Sequence, residues 1–297
     1  MRPFLQKIWL IIKAPIRFVK WIYNTIKGWL SGIRSDIVTF FREEPEESPL
    51  GDTIQKTVDS PEALFVHLND LRKHLLRSVI FLGITITISF VFSSRILEFL
   101  SRPLEGGADS LIAIEVTEPI GTFMRISLLA GFALALPYIA FELFRFVAPG
   151  ISIRSRIWGL SGIPVVVIFF LGGMAFAYFV MLPAALPFLL NILEIDTQLR
   201  PSSYISFVTS VMFWVGIAFE FPLVIFFLAG MGIVNAKMLA DQWRLAIVII
   251  AIVSALITPT IDPVNMALVM GPMIALYFLS ILLATLAQRG RNNRLGT

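Results

Sequence analysis

Seven stretches of this chain contain no Asp, Glu, Lys or Arg: residues 78–94, 126–141, 157–193, 201–219, 221–236, 245–261 and 263–288. In hydrocarbon every backbone N–H and C=O must find its partner inside the segment, which leaves helices as the economical solution for such runs. A spanning helix needs about 17–25 apolar residues. Composition agrees. The chain is 57% hydrophobic and 15% charged, where a soluble domain is about a quarter charged. Cysteine is absent and there are 2 His in 297 residues. That excludes disulfides, thiolate zinc sites and iron–sulfur clusters, and argues against a multi-histidine metal centre.

Charge bias sets the span count. The run 157–193 is long enough for one span with an extension or for two spans. With six spans, 20 of the 24 Lys/Arg residues fall on one side. Arg95, Arg102, Arg125 and Arg200 remain on the other. Splitting the long run would move Arg289, Arg291 and Arg294 across. The positive-inside rule therefore selects an all-α membrane protein with six transmembrane helices and both termini cytoplasmic. The expected spans are 75–94, 123–147, 157–182, 205–232, 243–259 and 264–287. Pro183 and Pro187 suggest an irregular extension beyond the third. The fifth span is short.

The first 42 residues read differently. Eight Lys/Arg oppose Asp36 alone, and Val19, Ile22, Ile26, Trp29, Ile33, Ile37 and Phe40 recur at helical spacing. This pattern predicts a basic amphipathic extension lying on anionic membrane lipids. Packing on the protein's own domain and a cleaved targeting segment are the other readings. The acidic, proline-containing segment within 43–60 reads as a disordered linker. A membrane domain over 61–288 follows, opening at Ser60-Pro61-Glu62 with proline at the first helical turn. A basic cytoplasmic tail, 289–297, ends the chain.

Between Phe207 and Val234, 28 residues, Glu220 is the only charge. A charge at a helix centre costs about 2.5–3.5 kcal/mol on insertion scales. Glu220 is therefore expected to be protonated, paired or turned to a wet concavity. Pro222 lacks the N–H that would bond Ala218 and is expected to kink the helix beside the acid. A hydrogen bond to Thr209, Ser210 or Gln242 is the plainer alternative. His67, Asp70 and His74 share one helix face, a spacing that admits a metal trio, though no fourth ligand is evident. They are read as interfacial polar residues.

Several stretches resemble the TatC family, the multi-spanning receptor of the twin-arginine translocase. HLNDLRKHLLRS, 67–78, resembles its amino-terminal signature. RFVAPGI, 145–151, GMAFAYFVMLP, 173–183, FEFP, 219–222, and LITPTIDPVNM, 256–266, follow in the family's order. The resemblance covers residues 64 to 288 and leaves out the first 60. It implies recognition of twin-arginine signal peptides of folded precursors at the cytoplasmic face of the inner membrane. It further implies assembly with single-span TatA/TatB-type subunits and with other TatC copies, driven by the proton-motive force. No enzyme activity, cofactor, metal or nucleic acid is implied.

The resemblance assigns Asp70 as a signal-binding carboxylate, Arg72 as an organiser of the cytoplasmic surface and Phe146 as a residue of the signal site. Taken alone, Asp70 reads as a solvated helix charge paired with Lys73 or His74. Ser155 stands where the family usually carries a second signal-binding Glu. Glu142 is the candidate substitute, with an i,i+3 pair to Arg145 as its plainer role. Glu220 and Pro222 become an intramembrane docking point for a partner span. Asp262 is an outer-loop acid for partner contact or a cap for the last helix. An ion-coupled secondary transporter using Glu220 is the alternative of a different class.

Overall fold

The computed structural model describes residues 61–104, 106–148, 153–191, 199–258 and 263–295. The extension over 1–42, the linker over 43–60 and Asp262 lie outside the described residues. Residues 62–147 and 158–297 form one compact unit.

The described chain is helical, with one isolated bridge, Leu111 to Leu199. The helices are α1 (Pro61–Val91), α2 (Ser93–Ser101), α3 (Glu118–Val147), α4 (Ile153–Phe176), α5 (Leu182–Asn191), α6 (Pro201–Met231), α7 (Ala236–Asp241), α8 (Trp243–Ile257) and α9 (Pro263–Leu295). Within α1, α3, α6, α9 and the continuous stretch Gly159–Pro187, five helices are long and apolar enough to cross a membrane. The sixth apolar helix, α8, has 15 residues. At 1.5 Å per residue it reaches about 22 Å, less than the roughly 30 Å of a hydrocarbon core.

Proline positions explain several boundaries. Pro61, Pro201 and Pro263 each open a helix, where the missing N–H costs nothing. The extension beyond the third span differs from expectation, because it is helical rather than irregular. Between α4 and α5 the chain makes a π-turn, Ala177–Met181, in which Leu182 N–H reaches the carbonyl of Ala177. The wider turn ends two residues before Pro183 and lets the helix continue past it. The helix α6 runs unbroken through Pro222. It ends at Gly232, whose φ of 83° is the left-handed conformation glycine adopts freely. The last helix continues to Leu295, so the segment carrying Arg289, Arg291 and Arg294 extends α9.

The main core lies toward the α6 N-terminus. Leu100, Ile126, Met181, Leu182, Ile205 and Val208 are almost fully buried there. Two tyrosines tie α2 to this core. Tyr178 donates to the Phe99 carbonyl at 2.6 Å and Tyr204 to the Leu100 carbonyl at 2.7 Å. These are carbonyls of the last turn of α2, where intrahelical donors run out; Phe99 also accepts from the Arg102 N–H at 3.3 Å. A smaller cluster of Ile225, Ala229, Ala236 and Ala284 joins α6, α7 and α9. The outward faces stay apolar, with Val79, Ile80, Leu128, Phe179 and Val224 all more than 45% exposed. That is the pattern of a surface solvated by lipid.

Two helix pairs touch backbone to backbone. A Cβ on Gly173 of α4 would lie 2.8 Å from Gly216 Cα and 2.9 Å from the Val215 carbonyl oxygen of α6. One on Gly131 of α3 would lie 2.7 Å from Ile86 Cα of α1. There Thr85 also donates to the Gly131 carbonyl at 2.8 Å. We expect Gly173→Ala to lower stability by about 1–3 kcal/mol through overpacking. The neighbouring Gly172→Ala, whose Cβ meets nothing within 4 Å, should be neutral. Thermal unfolding of the purified variants measures both.

Candidate functional site

Polar groups gather at three levels of the bundle. The first lies where α1 and α3 meet, near the start of α1 and the end of α3. Asp70 is half-exposed there and pairs with Lys73 at 2.9 Å. Arg72 is exposed one residue from Lys73. Behind them Glu142 is fully buried. Its two oxygens are held from different helices. His74 of α1 donates through Nδ1 to Oε2 at 2.5 Å, and Tyr138, one turn back on α3, donates to Oε1 at 2.5 Å. Arg145 stands 3.7 Å away. The ring of Phe146 meets His74 edge-on, with centroids 6.4 Å apart.

The sequence places Asp70 and His74 one turn apart on α1, and Glu142 and Phe146 one turn apart on α3. The structure brings His74 against both Glu142 and Phe146. The i,i+3 pairs read from sequence are present: Asp70 with Lys73, and Glu142 with Arg145. The His74–Glu142 contact, 68 residues apart, has no local signal, because nothing in a single helix's spacing says which residue faces it across a helix pair. His74, considered for a metal trio, has its Nδ1 committed to Glu142.

The second level is Glu220. It faces α4, one turn from the Gly173–Gly216 contact, and its carboxyl lies against the backbone of Phe170. Its Oε1 is buried without a hydrogen-bond partner. Thr209 turns back to donate to Ile205 of its own helix at 2.6 Å, so it does not serve the acid. Pro222 is fully buried within the unbroken α6.

The third level lies at the opposite end and was not foreseen as a unit. Arg200, just before α6, pairs with Glu115 at 2.9 Å and with Glu118 at the start of α3. Ser202 donates to Glu118 Oε1 at 3.0 Å, and the Ile114 N–H donates to its Oε2 at 3.0 Å. The hydrogen bonds to Glu115 and Glu118 hold the Arg200 guanidinium above its ordinary pKa. In the sequence Arg200 is one of four outer-side cations and Glu118 carries no signal of its own. Their distance along the chain hid the pairing.

Backbone sealed in helices, apolar outward faces and polar chemistry confined to levels of the bundle define a multi-pass integral-membrane protein. The family model of TatC, the Sec-independent protein translocase protein, matches residues 66–272. The chain belongs to the TatC family, a component of the Sec-independent protein translocase. It is 36% identical over 248 residues to the Sec-independent protein translocase protein TatC of Deinococcus radiodurans, covering 81% of this chain and 91% of that one. It is 28% identical over 273 residues to the chloroplastic TATC of Pisum sativum, covering 89% of this chain and 76% of that one. A crystal structure of the twin arginine translocase receptor TatC superposes with a TM-score of 0.67 at 33% identity, covering 74% of this chain and 99% of that one.

Two outcomes follow from this geometry. Glu142→Ala leaves two part-buried donors, His74 and Tyr138, without this acceptor and should cost about 1–3 kcal/mol, with Glu142→Gln milder because it keeps an acceptor; thermal unfolding compares them. Arg200→Ala should release the segment 102–117 from the start of α6. Limited proteolysis should then cut that segment faster than in the unaltered protein.

Proposed function

We propose that this protein receives twin-arginine signal peptides of folded precursors at the cytoplasmic face, through Asp70. In this reading both termini are cytoplasmic, six helices cross the inner membrane, and the level holding Arg200 faces outward. The observation that carries it is a half-exposed carboxylate whose ion pair with Lys73 faces solvent, on the helix turn next to the buried, hydrogen-bonded Glu142. An exposed i,i+3 pair such as Asp70–Lys73 is worth a few tenths of a kcal/mol. An arginine fork bonds a carboxylate bidentately, which an ammonium does not match. A signal arginine therefore displaces Lys73 at little cost. The resemblance to a solved twin arginine translocase receptor supports the same assignment.

Phe146 and Arg72 flank this acid in the proposed site, Phe146 through its edge contact with His74 and Arg72 from the exposed face of α1. Glu142 serves it from beneath. With both oxygens occupied, its contribution is to hold His74, and with it the turn of α1 that presents Asp70. Direct contact between Glu142 and a signal arginine requires His74 to swing away.

Glu220 is proposed as the docking acid for a polar group on a single-span partner subunit. Its unmet Oε1 and the exposed Phe221 and Val224 beside it support this. The bilayer is the proposed substrate of the basic extension over 1–42, Asp262 is a proposed outward contact for partners, and other copies of the chain complete the assembly. The proton-motive force drives export without cofactor or covalent chemistry.

A folded reporter bearing an RR signal should be captured by the purified protein and its KK twin should not. Asp70→Asn should weaken RR capture about 10- to 100-fold, the scale of one charged hydrogen bond. Equal capture of RR and KK would refute the signal-binding assignment. Glu220→Ala should keep RR capture and lose export or partner co-purification. Ion flux in proteoliposomes that is abolished by Glu220→Gln would instead make the protein a transporter.

A further inference from the structure

The sequence places Arg125 among the outer cations, and none of the three polar levels accounts for it. It lies seven residues into α3, about 10 Å from the helix start at 1.5 Å per residue. Glu118, two turns back on the same face, is already engaged by Arg200 and Ser202. Among the described residues Arg125 makes no ion pair or hydrogen bond, and its side chain is exposed on the same outward side of α3 as Met124 and Leu128. A cation in that setting calls for an anion from outside the fold.

Beside it is a cavity of about 410 Å³ between α1, α3 and α6. Its size falls in the range of small-ligand sites. Leu82, Phe132, Phe213 and Trp214 supply apolar walls, and Ser210 adds a hydroxyl. The neighbouring Thr209 donates to Ile205, so Ser210 is the hydroxyl left to donate into the cavity. Along α3 the lining has a polarity: Arg125 stands nearest the helix end, and Phe132 lies two turns deeper. Arginine reaches toward a headgroup region while its stem packs on apolar surface.

We propose that this cavity binds one anionic phospholipid. The phosphodiester sits on the Arg125 guanidinium with Ser210 as second donor. One acyl chain lies inward between Leu82, Phe132 and Trp214. A guanidinium fork matches phosphate bidentately. A partner helix is about 10–12 Å across; it would cover a cavity of this size rather than fill it. An acyl chain fills it. The proposal rests on the membrane fold alone and is independent of the signal-binding assignment.

Native mass spectrometry of the full-length protein, delipidated and then titrated with phosphatidylglycerol or phosphatidylcholine, tests it. The unaltered protein should retain one phosphatidylglycerol in preference to phosphatidylcholine. In Arg125→Gln that occupancy should fall about tenfold, in line with loss of a charged hydrogen bond. Leu128→Trp, which fills the cavity and keeps the cation, should lower retention of both lipids. If Arg125→Gln fails to fold, Arg125→Lys is read instead, with intermediate occupancy expected because the charge stays and the fork is lost. Equal phosphatidylglycerol retention in the unaltered protein and the Arg125 variant would overturn the proposal. Inorganic phosphate that displaces the lipid completely would reduce the site to a bare anion site. Unchanged lipid retention with loss of a co-purifying single-span subunit would assign Arg125 to a partner's acid.

Discussion

Gly173 and Gly216 bring α4 and α6 to backbone contact, and the midplane chemistry of the molecule depends on that approach. In hydrocarbon, helices gain little from burying apolar side chains, because lipid tails are equally apolar. They gain from close packing, which small residues allow. Glu220 is four residues beyond Gly216, on the same face of α6. The glycine contact therefore turns the acid toward the α4 backbone. A larger residue at either glycine would part the helices and leave the carboxyl facing lipid.

The same logic separates the three polar levels. Each buried acid at the two ends is met by groups from a second helix or loop. Glu142 binds His74 across α1 and α3, and Glu118 binds Arg200 ahead of α6. Both pairings hold a helix end in place and so fix geometry. Asp70 and Glu220 differ in setting. Asp70 is half-exposed and its pair with Lys73 faces solvent, and Glu220 Oε1 makes no hydrogen bond. The buried, doubly bonded acids are thus distinct residues from these two. The proposed recognition chemistry falls to the second group.

Much of the fold was legible because its signal is one-dimensional. Charge-free runs mark spans, and Pro61 and Pro263 mark helix starts. The spacing of Asp70 to His74 and of Glu142 to Phe146 places each pair on a helix face. Pairing across helices was not legible. His74 with Glu142 and Arg200 with Glu118 depend on which faces meet, and a lone sequence carries no record of that. Pro183 misled for a related reason. A proline's local cost suggests a break, yet a π-turn just before it absorbs that cost within a continuous helix.

The outer arginines show how far charge counting goes and where it stops. Arg200 and Arg125 carry the same weight in a positive-inside count, and both count against the rule. In the structure they part. Arg200 finds two acids and becomes structural. Arg125 lies two turns beyond Glu118, and at that depth neither α1, α3 nor α6 supplies an acid to it. A fold that needed only neutrality would place an uncharged residue there, since the surroundings of Arg125 offer apolar walls and a hydroxyl but no acid. Keeping a guanidinium beside an open apolar cavity makes sense when its counter-charge arrives with its own hydrocarbon, as a phospholipid's does.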